Sequence, residues 1–259
     1  MRSPAGTQAV DRAADLLVHV VDSPEPVAFS TLAERTGLPK STVSRLMSAL
    51  ERHGLVDRAP GRSYRPGEVF VGYARSRSFE RDITEVARPF LVRLGEETGE
   101  TINLGIATAG IVKQVAQVDS RYLIGVTNWL NLPVPLHCSA LGKVLLAYGA
   151  AELPPGPLER RTKTTITDRE ALTRELVSVR RLGYATTDGE LEPGLVAIAA
   201  PVRSADRVVA AVSVSGPSSR FTRPAMRDAV KRCVTQSDAL SRALAGLRDQ
   251  ASSPKEGAA

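Results

Sequence analysis

The chain has 259 residues, 42% hydrophobic and 24% charged, with 34 Lys and Arg against 28 Asp and Glu for a net charge of +6. That is an ordinary composition for a soluble globular protein, long enough for two domains, and too mildly basic to argue by itself for nucleic acid. Two cysteines, Cys138 and Cys233, exclude a disulfide framework and a CxxC metal pair, and no apolar run approaches the roughly 20 residues of a membrane helix. MRSPAGTQAV lacks the apolar core of a signal peptide, so the expected location is a reducing cytoplasm.

Taken in order, Val10, Ala13, Ala14, Leu17, Val18 and Val21 fall at helical spacing and predict a first helix over Thr7–Val21. DSPEP at 22–26 breaks it. Ser30 is the expected N-cap of a second helix, Thr31 to Thr36, which Gly37 ends. Pro39 then opens a third helix, in which Val43, Leu46, Met47 and Leu50 form one buried stripe. Its other face holds Lys40, Ser41, Thr42, Ser44, Arg45 and Ser48, with no carboxylate before Glu51. Two helices joined by so short a glycine-containing turn make a helix-turn-helix. Leu55–Ala59 and Arg62–Arg65 flank a Pro60-Gly61 turn and predict a β-hairpin, the wing of a winged helix-turn-helix over residues 1–66. Residues 67–81 read as a charged linker helix. Asp82 is the expected cap of a separate amphipathic helix that Gly99 ends.

Beyond Gly99 the period changes to two. Strands are predicted over 101–107, 111–118, 122–129, 184–188, 196–202 and 208–215. Between them lie a proline-stiffened loop at 132–137, a short helix at 139–148, and a helix from the capping box TDRE (167–170) to Leu182. Thr222 is the expected cap of a last helix running to about Arg248, and residues 250–259 read as a disordered tail. The expected fold class is therefore α+β, with a mostly antiparallel sheet of about six strands in residues 82–249.

A basic, hydroxylated helix face suits the major groove of duplex DNA, and the competing reading is a solvated helix surface. Arg45 is the candidate for base readout, because a guanidinium can pair bidentately with guanine. Lys40, Arg58 and Arg62 are candidates for phosphate contact. Ser213 and Ser215, two apart on one strand, share a face that either lines a pocket or meets solvent. Together with the N–H groups at Ser139–Gly142 they could hold a carboxylate or carbonyl. His137 and Cys138 are adjacent in an extended loop and so poorly placed as a catalytic dyad. No catalytic residue, metal site or cofactor is assigned.

AERTGLPKSTVSRLMSALERHGLVDR at 33–58 resembles the DNA-binding segment of the IclR family of bacterial transcriptional regulators. ETGETINL at 97–104, PLHCSALGKVLLA at 135–147 and GYATTDGELEPGLVAIAAPV at 183–202 are similar to the effector domain of the same family, in the same order. The resemblance implies a GAF-like antiparallel-sheet domain that binds a small metabolite, and a homodimer or dimer of dimers on a palindromic operator. It implies effector contacts at Leu136, Ala140, Leu141, Asp188, Leu195, Ala197, Ser213 and Ser215. Trp129, the one tryptophan, falls in a loop where the family varies most and is a candidate lid or subunit contact. The expected function is a ligand-modulated regulator, a repressor rather than an activator, whose effector is a small organic acid or aromatic. The alternative is a small-molecule enzyme with a vestigial DNA-binding domain.

Overall fold

The computed structural model describes residues 7–122, 130 and 132–252. The chain divides into two compact units, Met1–Glu80 and Arg81–Ala259.

The first unit contains α1 (Gln8–Val21), β1 (Val27–Ala28), α2 (Phe29–Thr36), α3 (Lys40–Arg52), β2 (Val56–Ala59) and β3 (Ser63–Pro66). Apolar side chains one helical face apart meet in one core: Leu16 and Val20 of α1, Leu32 of α2, and Val43 and Met47 of α3 are fully buried. Gly37 ends α2 with φ +63°, a left-handed turn that non-glycine residues rarely adopt. The wing is a hairpin of β2 and β3, with Gly61 and Arg62 at positive φ in its turn.

One expectation at this end is corrected. α2 starts at Phe29, so Ser30 lies inside the helix, and Ala28 holds the cap position without a side-chain hydrogen bond. The reason is tertiary. Val27 and Ala28 pair with Tyr64 and Ser63 as a third strand of the wing sheet, and the Phe29 N–H donates to the Arg62 carbonyl at 3.0 Å. The wing turn, 33 residues on, thus meets one of the leading N–H groups of α2.

α4 (Glu68–Thr98) is one 31-residue helix where two were expected. Asp82 therefore caps nothing. An aspartate is only mildly unfavourable in a helix interior, and no glycine or proline stands near it to force a break. Within the second unit, Ile83, Ala87, Leu91 and Leu94 form the buried stripe of α4.

The second unit continues with β4 (Thr101–Thr108), β5 (Ile111–Val118), β6 (Pro133–Pro135), α5 (Ala140–Ala147), α6 (Arg169–Leu182), β7 (Ala185–Asp188), β8 (Leu195–Ser204), β9 (Arg207–Pro217) and α7 (Arg223–Ser252). Six strands form an antiparallel sheet in the order β6-β5-β4-β9-β8-β7. β6 replaces the expected loop at 132–137. Two prolines fit there because β6 is an edge strand, where a missing N–H leaves no ladder bond unmade. The expected strand at 122–129 lies almost wholly outside the described residues.

Helix ends differ by small amounts for local reasons. Asp168, not Thr167, caps α6, accepting from the Ala171 N–H at 2.7 Å. Ser139 caps α5, accepting from the Gly142 N–H at 3.1 Å while donating to the Pro135 carbonyl at 2.6 Å. Thr222 caps α7 as expected, its hydroxyl accepting from the Ala225 N–H at 3.4 Å. α7 runs to Ser252, past its expected end and into the expected tail.

The sheet has two unlike faces. Ile102, Leu104, Ile198, Ala200, Val212 and Val214 point to one side, where α4 and α7 cover them with Leu91, Leu94, Cys233 and Leu240. Asn103, Ala197, Ala199, Ser213 and Ser215 alternate with these and face the side of α5. α5 reaches that face because Gly142 has no side chain: a Cβ there would stand 2.2 Å from the Leu136 carbonyl oxygen and 2.4 Å from its Cα. Both are backbone atoms that cannot swing away. Gly142→Ala is therefore expected to destabilise the second unit by at least ~1–3 kcal/mol, read as a lower urea midpoint at unchanged slope. An unaltered midpoint would show that α5 tolerates a shift.

Candidate functional site

α3 presents the face expected of it. Lys40, Ser41, Ser44 and Arg45 are exposed and Thr42 is half-buried. Pro39 holds the N-cap position and makes no side-chain cap bond. The helix start is thus open to an anion such as a backbone phosphate, favoured by the helix dipole. Among the described residues Lys40, Arg45 and Arg62 make no ion pair. Arg62 stands exposed in the wing turn at φ +55°. Arg58 differs: its guanidinium lies 3.0 Å from the Glu51 carboxylate. That pair is exposed and worth at most about 1 kcal/mol, so a phosphate can displace the glutamate.

In the second unit a cavity of about 30 Å³ lies between the sheet and α5. Six of the residues that family resemblance pointed to line it: Ala140 and Leu141 of α5, Leu195 and Ala197 of β8, and Ser213 and Ser215 of β9. Leu136 and Asp188 do not. Leu136 is buried, but it borders a separate groove with Pro133, Pro135 and Leu158. Asp188 is exposed, and its neighbour Thr187 lines the cavity instead, because adjacent strand residues face opposite sides. Trp129 lies outside the described residues.

Sequence reasoning passed over the polar floor of this cavity. Asn103 sits opposite Ser213 across the β4–β9 ladder, and its amide nitrogen donates to the Ser215 hydroxyl at 3.3 Å. Gln114 of β5 lies alongside, opposite Gly105, where a bulge between Leu104 and Gly105 shifts the register. Asn103 and Gln114 are 3% and 5% exposed, yet Asn103 Oδ1 and Gln114 Oε1 have no hydrogen-bond partner among the described residues. Leaving a buried acceptor unsatisfied costs about 1–3 kcal/mol, so such atoms are ordinarily met by ordered water or another bound partner. Asn103 was findable: it alternates with Leu104 in TINL, out of phase with the apolar residues. Gln114 was not, because the bulge decides its facing.

Beside the cavity runs a buried ion network. Lys143 of α5 is fully buried, with Nζ 2.6 Å from Glu190 and 3.2 Å from Glu175 of α6. Glu190 lies in the β7–β8 turn, directly before Leu191, a cavity residue. The Thr165 hydroxyl donates to the Glu190 carbonyl at 2.7 Å. The pair thus ties one wall of the cavity, α5, to another, the turn carrying Leu191. Burial raises the Glu190 carboxyl above its usual value by more than the Lys143 hydrogen bond lowers it.

His137 and Cys138 do not pair. His137 Nε2 stands 2.8 Å from the Glu159 carbonyl oxygen. The Cys138 thiol is buried, and burial first, then the charge of Glu190, pushes its pKa up to about 12. A thiol so shifted stays protonated and is a poor nucleophile near neutral pH. Among the described residues no group of three His, Cys, Asp or Glu side chains is placed to hold a metal ion, and no helix is long and apolar enough to cross a membrane.

Comparison with known proteins agrees with both units. Residues 9–60 match the model of the IclR helix-turn-helix domain, and residues 78–248 match that of the bacterial transcriptional regulator IclR C-terminal domain. The HTH-type transcriptional regulator BhcR of Paracoccus denitrificans is 34% identical over 235 residues, covering 87% of this chain and 84% of that protein. The HTH-type transcriptional repressor AllR of Escherichia coli K12 is 34% identical over 228 residues, covering 84% and 83%. A crystal structure of an IclR homolog complexed with 4-hydroxybenzoate, from Microbacterium hydrocarbonoxydans, shares the fold at a TM-score of 0.59 and 24% identity, covering 92% of this chain and 100% of that one.

The ion network makes a prediction whose sign is set by Glu190. Lys143→Met leaves that carboxylate buried without its closest partner, which costs about 3–5 kcal/mol near neutral pH. A carboxyl whose folded pKa is raised supports folding when protonated and loses that support as pH rises through the raised value. The loss in Lys143→Met should therefore shrink as pH is lowered, in urea titrations compared near pH 5 and pH 8. A loss independent of pH would mean that the missing stem, not the stranded charge, is responsible.

Proposed function

The chain belongs to the IclR family of bacterial transcriptional regulators, and on that premise we propose that α3 and the wing read an operator while the cavity under α5 receives the controlling metabolite. The protein is a DNA-binding regulator of that family. Repression is the sign of control we assign, in keeping with AllR, a relative named as a repressor. The observation that carries the reading is the outer face of α3, where four exposed cations and hydroxyls stand together with no carboxylate among them.

In this reading Arg45 meets base edges, Ser41, Thr42 and Ser44 pack beside it in the groove, and Lys40, Arg58 and Arg62 hold phosphates. Two copies act on a palindromic site, with their α3 helices about 34 Å apart, one turn of duplex. The chain passes from the first unit to the second within α4. A metabolite that binds one arrangement of the pair better than another shifts the population and with it the spacing of the two reading helices. No catalytic step falls to His137 or Cys138, since the thiol is buried and held protonated.

Two measurements test this. Arg45→Ala should lower the preference for operator over random duplex by roughly 10- to 100-fold in gel-shift titrations, the ~1–3 kcal/mol of one bidentate base contact, while weak salt-sensitive binding persists. Lys40→Ala should instead weaken binding to every sequence and flatten the dependence on log salt by about one unit. An Arg45 variant with intact preference would move base readout to another residue. A metabolite that saturates the second unit and leaves the operator footprint unchanged would defeat the proposed control.

A further inference from the structure

Resting on the reading of two copies on a palindromic operator, we infer that Gly67 is a positioning residue for the DNA-reading helix. It seats α4 directly on the backbone that ends α3, so that the two helices turn together and this joint sets the half-site spacing the pair accepts.

The seat is made of backbone. α3 ends at Arg52, and the chain turns through Gly54 and Leu55 into β2. The Leu55 carbonyl accepts from the Gly67 N–H at 3.0 Å, and the Gly54 carbonyl accepts from the Val69 N–H at 3.2 Å. The leading N–H groups of a helix have no partner within it, so the turn that closes α3 also caps α4. The Leu55 N–H in turn donates to the Leu50 carbonyl at 3.0 Å, in the last turn of α3. One chain of hydrogen bonds thus runs from α3 through the turn to α4. Pairing of Val56 with Pro66 holds the other side of the joint.

Gly67 permits this approach. A Cβ there would stand 2.3 Å from the Gly54 carbonyl oxygen, 2.7 Å from the Gly54 carbonyl carbon and 2.7 Å from the Val56 nitrogen. All three are backbone atoms, and the oxygen is the one that accepts from Val69. A methyl group is admitted only by lifting α4 from its seat. The crowding is particular to this junction, since a Cβ at Gly37, Gly61 or Gly72 would meet nothing within 4 Å.

Side chains do not replace the seat. Among the described residues, none of 68–80 belongs to the apolar core of the first unit, and residues 71–79 are exposed all round the helix. The covalent path from residues 81–259 to α3 runs through that bare stretch and then through Gly67. One base pair more between half-sites moves the second by about 3.4 Å and turns it by about 35°, a change that a firm joint does not absorb.

The test begins by selecting operators from a random duplex pool with the full chain. Wild type should return two inverted half-sites at one spacing. Inserting one base pair between them should cost at least about tenfold in gel-shift affinity, whereas Gly67→Ala should keep the half-site sequence and cut that loss to about threefold or less. Folding of the variant is checked by its thermal midpoint. A second variant leaves the joint itself untouched: one alanine inserted between Ser76 and Arg77 turns all that follows by about 100° and advances it by about 1.5 Å. Selection with it should return the same half-site at another spacing, or single half-sites. Wild-type spacing and wild-type loss from folded Gly67→Ala, or wild-type spacing from the insertion variant, overturn the joint and leave the paired reading intact. Loss of the half-site itself by folded Gly67→Ala also overturns it. A wild-type selection without inverted half-sites overturns the paired reading, and the joint with it.

Discussion

The three central strands of the second unit, β4, β9 and β8, carry two different interiors on opposite faces. Their alternation is strict enough that Val212 and Val214 are buried against α7 while Ser213 and Ser215 between them line a cavity. A slip of one residue in any of these ladders would drive serines into the apolar core and valines into the polar floor. Five ladder pairs of β4 with β9 and ten of β8 with β9 fix this register, among them Asn103 to Ser213 and Ala197 to Ser215. The apolar face supplies most of the burial that holds the unit together. The other face is thereby free to keep polar groups in a buried place.

That second face is stabilised differently. α5 is buried along its whole length, and a lysine within it is fully buried too. Lys143 is tolerated because two carboxylates meet its ammonium group from α6 and from the β7–β8 turn. Replacing such a network by apolar side chains often leaves stability unchanged or raised, so its retention here is better explained by geometry than by energy. It holds three separate segments at one point beside the cavity. Its two carboxylate contacts thereby link α5 to α6 and to the turn carrying Leu191, and α5 and that turn are two of the walls of the cavity.

The first unit meets the opposite demand. Its chemistry is on the outside, on a helix anchored by an inner stripe of Val43, Leu46, Met47 and Leu50. Binding duplex DNA requires exposed charge without internal compensation, and α3 keeps Lys40 and Arg45 clear of ion pairs among the described residues. Arg58 alone of the candidate cations is paired, with Glu51. The wing gains rigidity from β1, a two-residue strand that makes the hairpin a three-stranded sheet.

The amino-acid sequence by itself determined the helix-turn-helix, the wing turn, the change of period after Gly99, and the exposed face of α3. It also marked out Ser213 and Ser215 as same-face hydroxyls. Each of these depends on periodicity, glycine and proline, which act over a few residues. Tertiary structure decided what pairs with what. Val27 and Ala28 became a strand because β3 lay beside them, and α4 ran unbroken through Asp82. Gln114 and Thr187 joined the cavity while Asp188 turned away. Lys143 found Glu190 at a separation of 47 residues. No local pattern announces such partners, because strand order and register bring them together, and these are set by the packing of the whole unit.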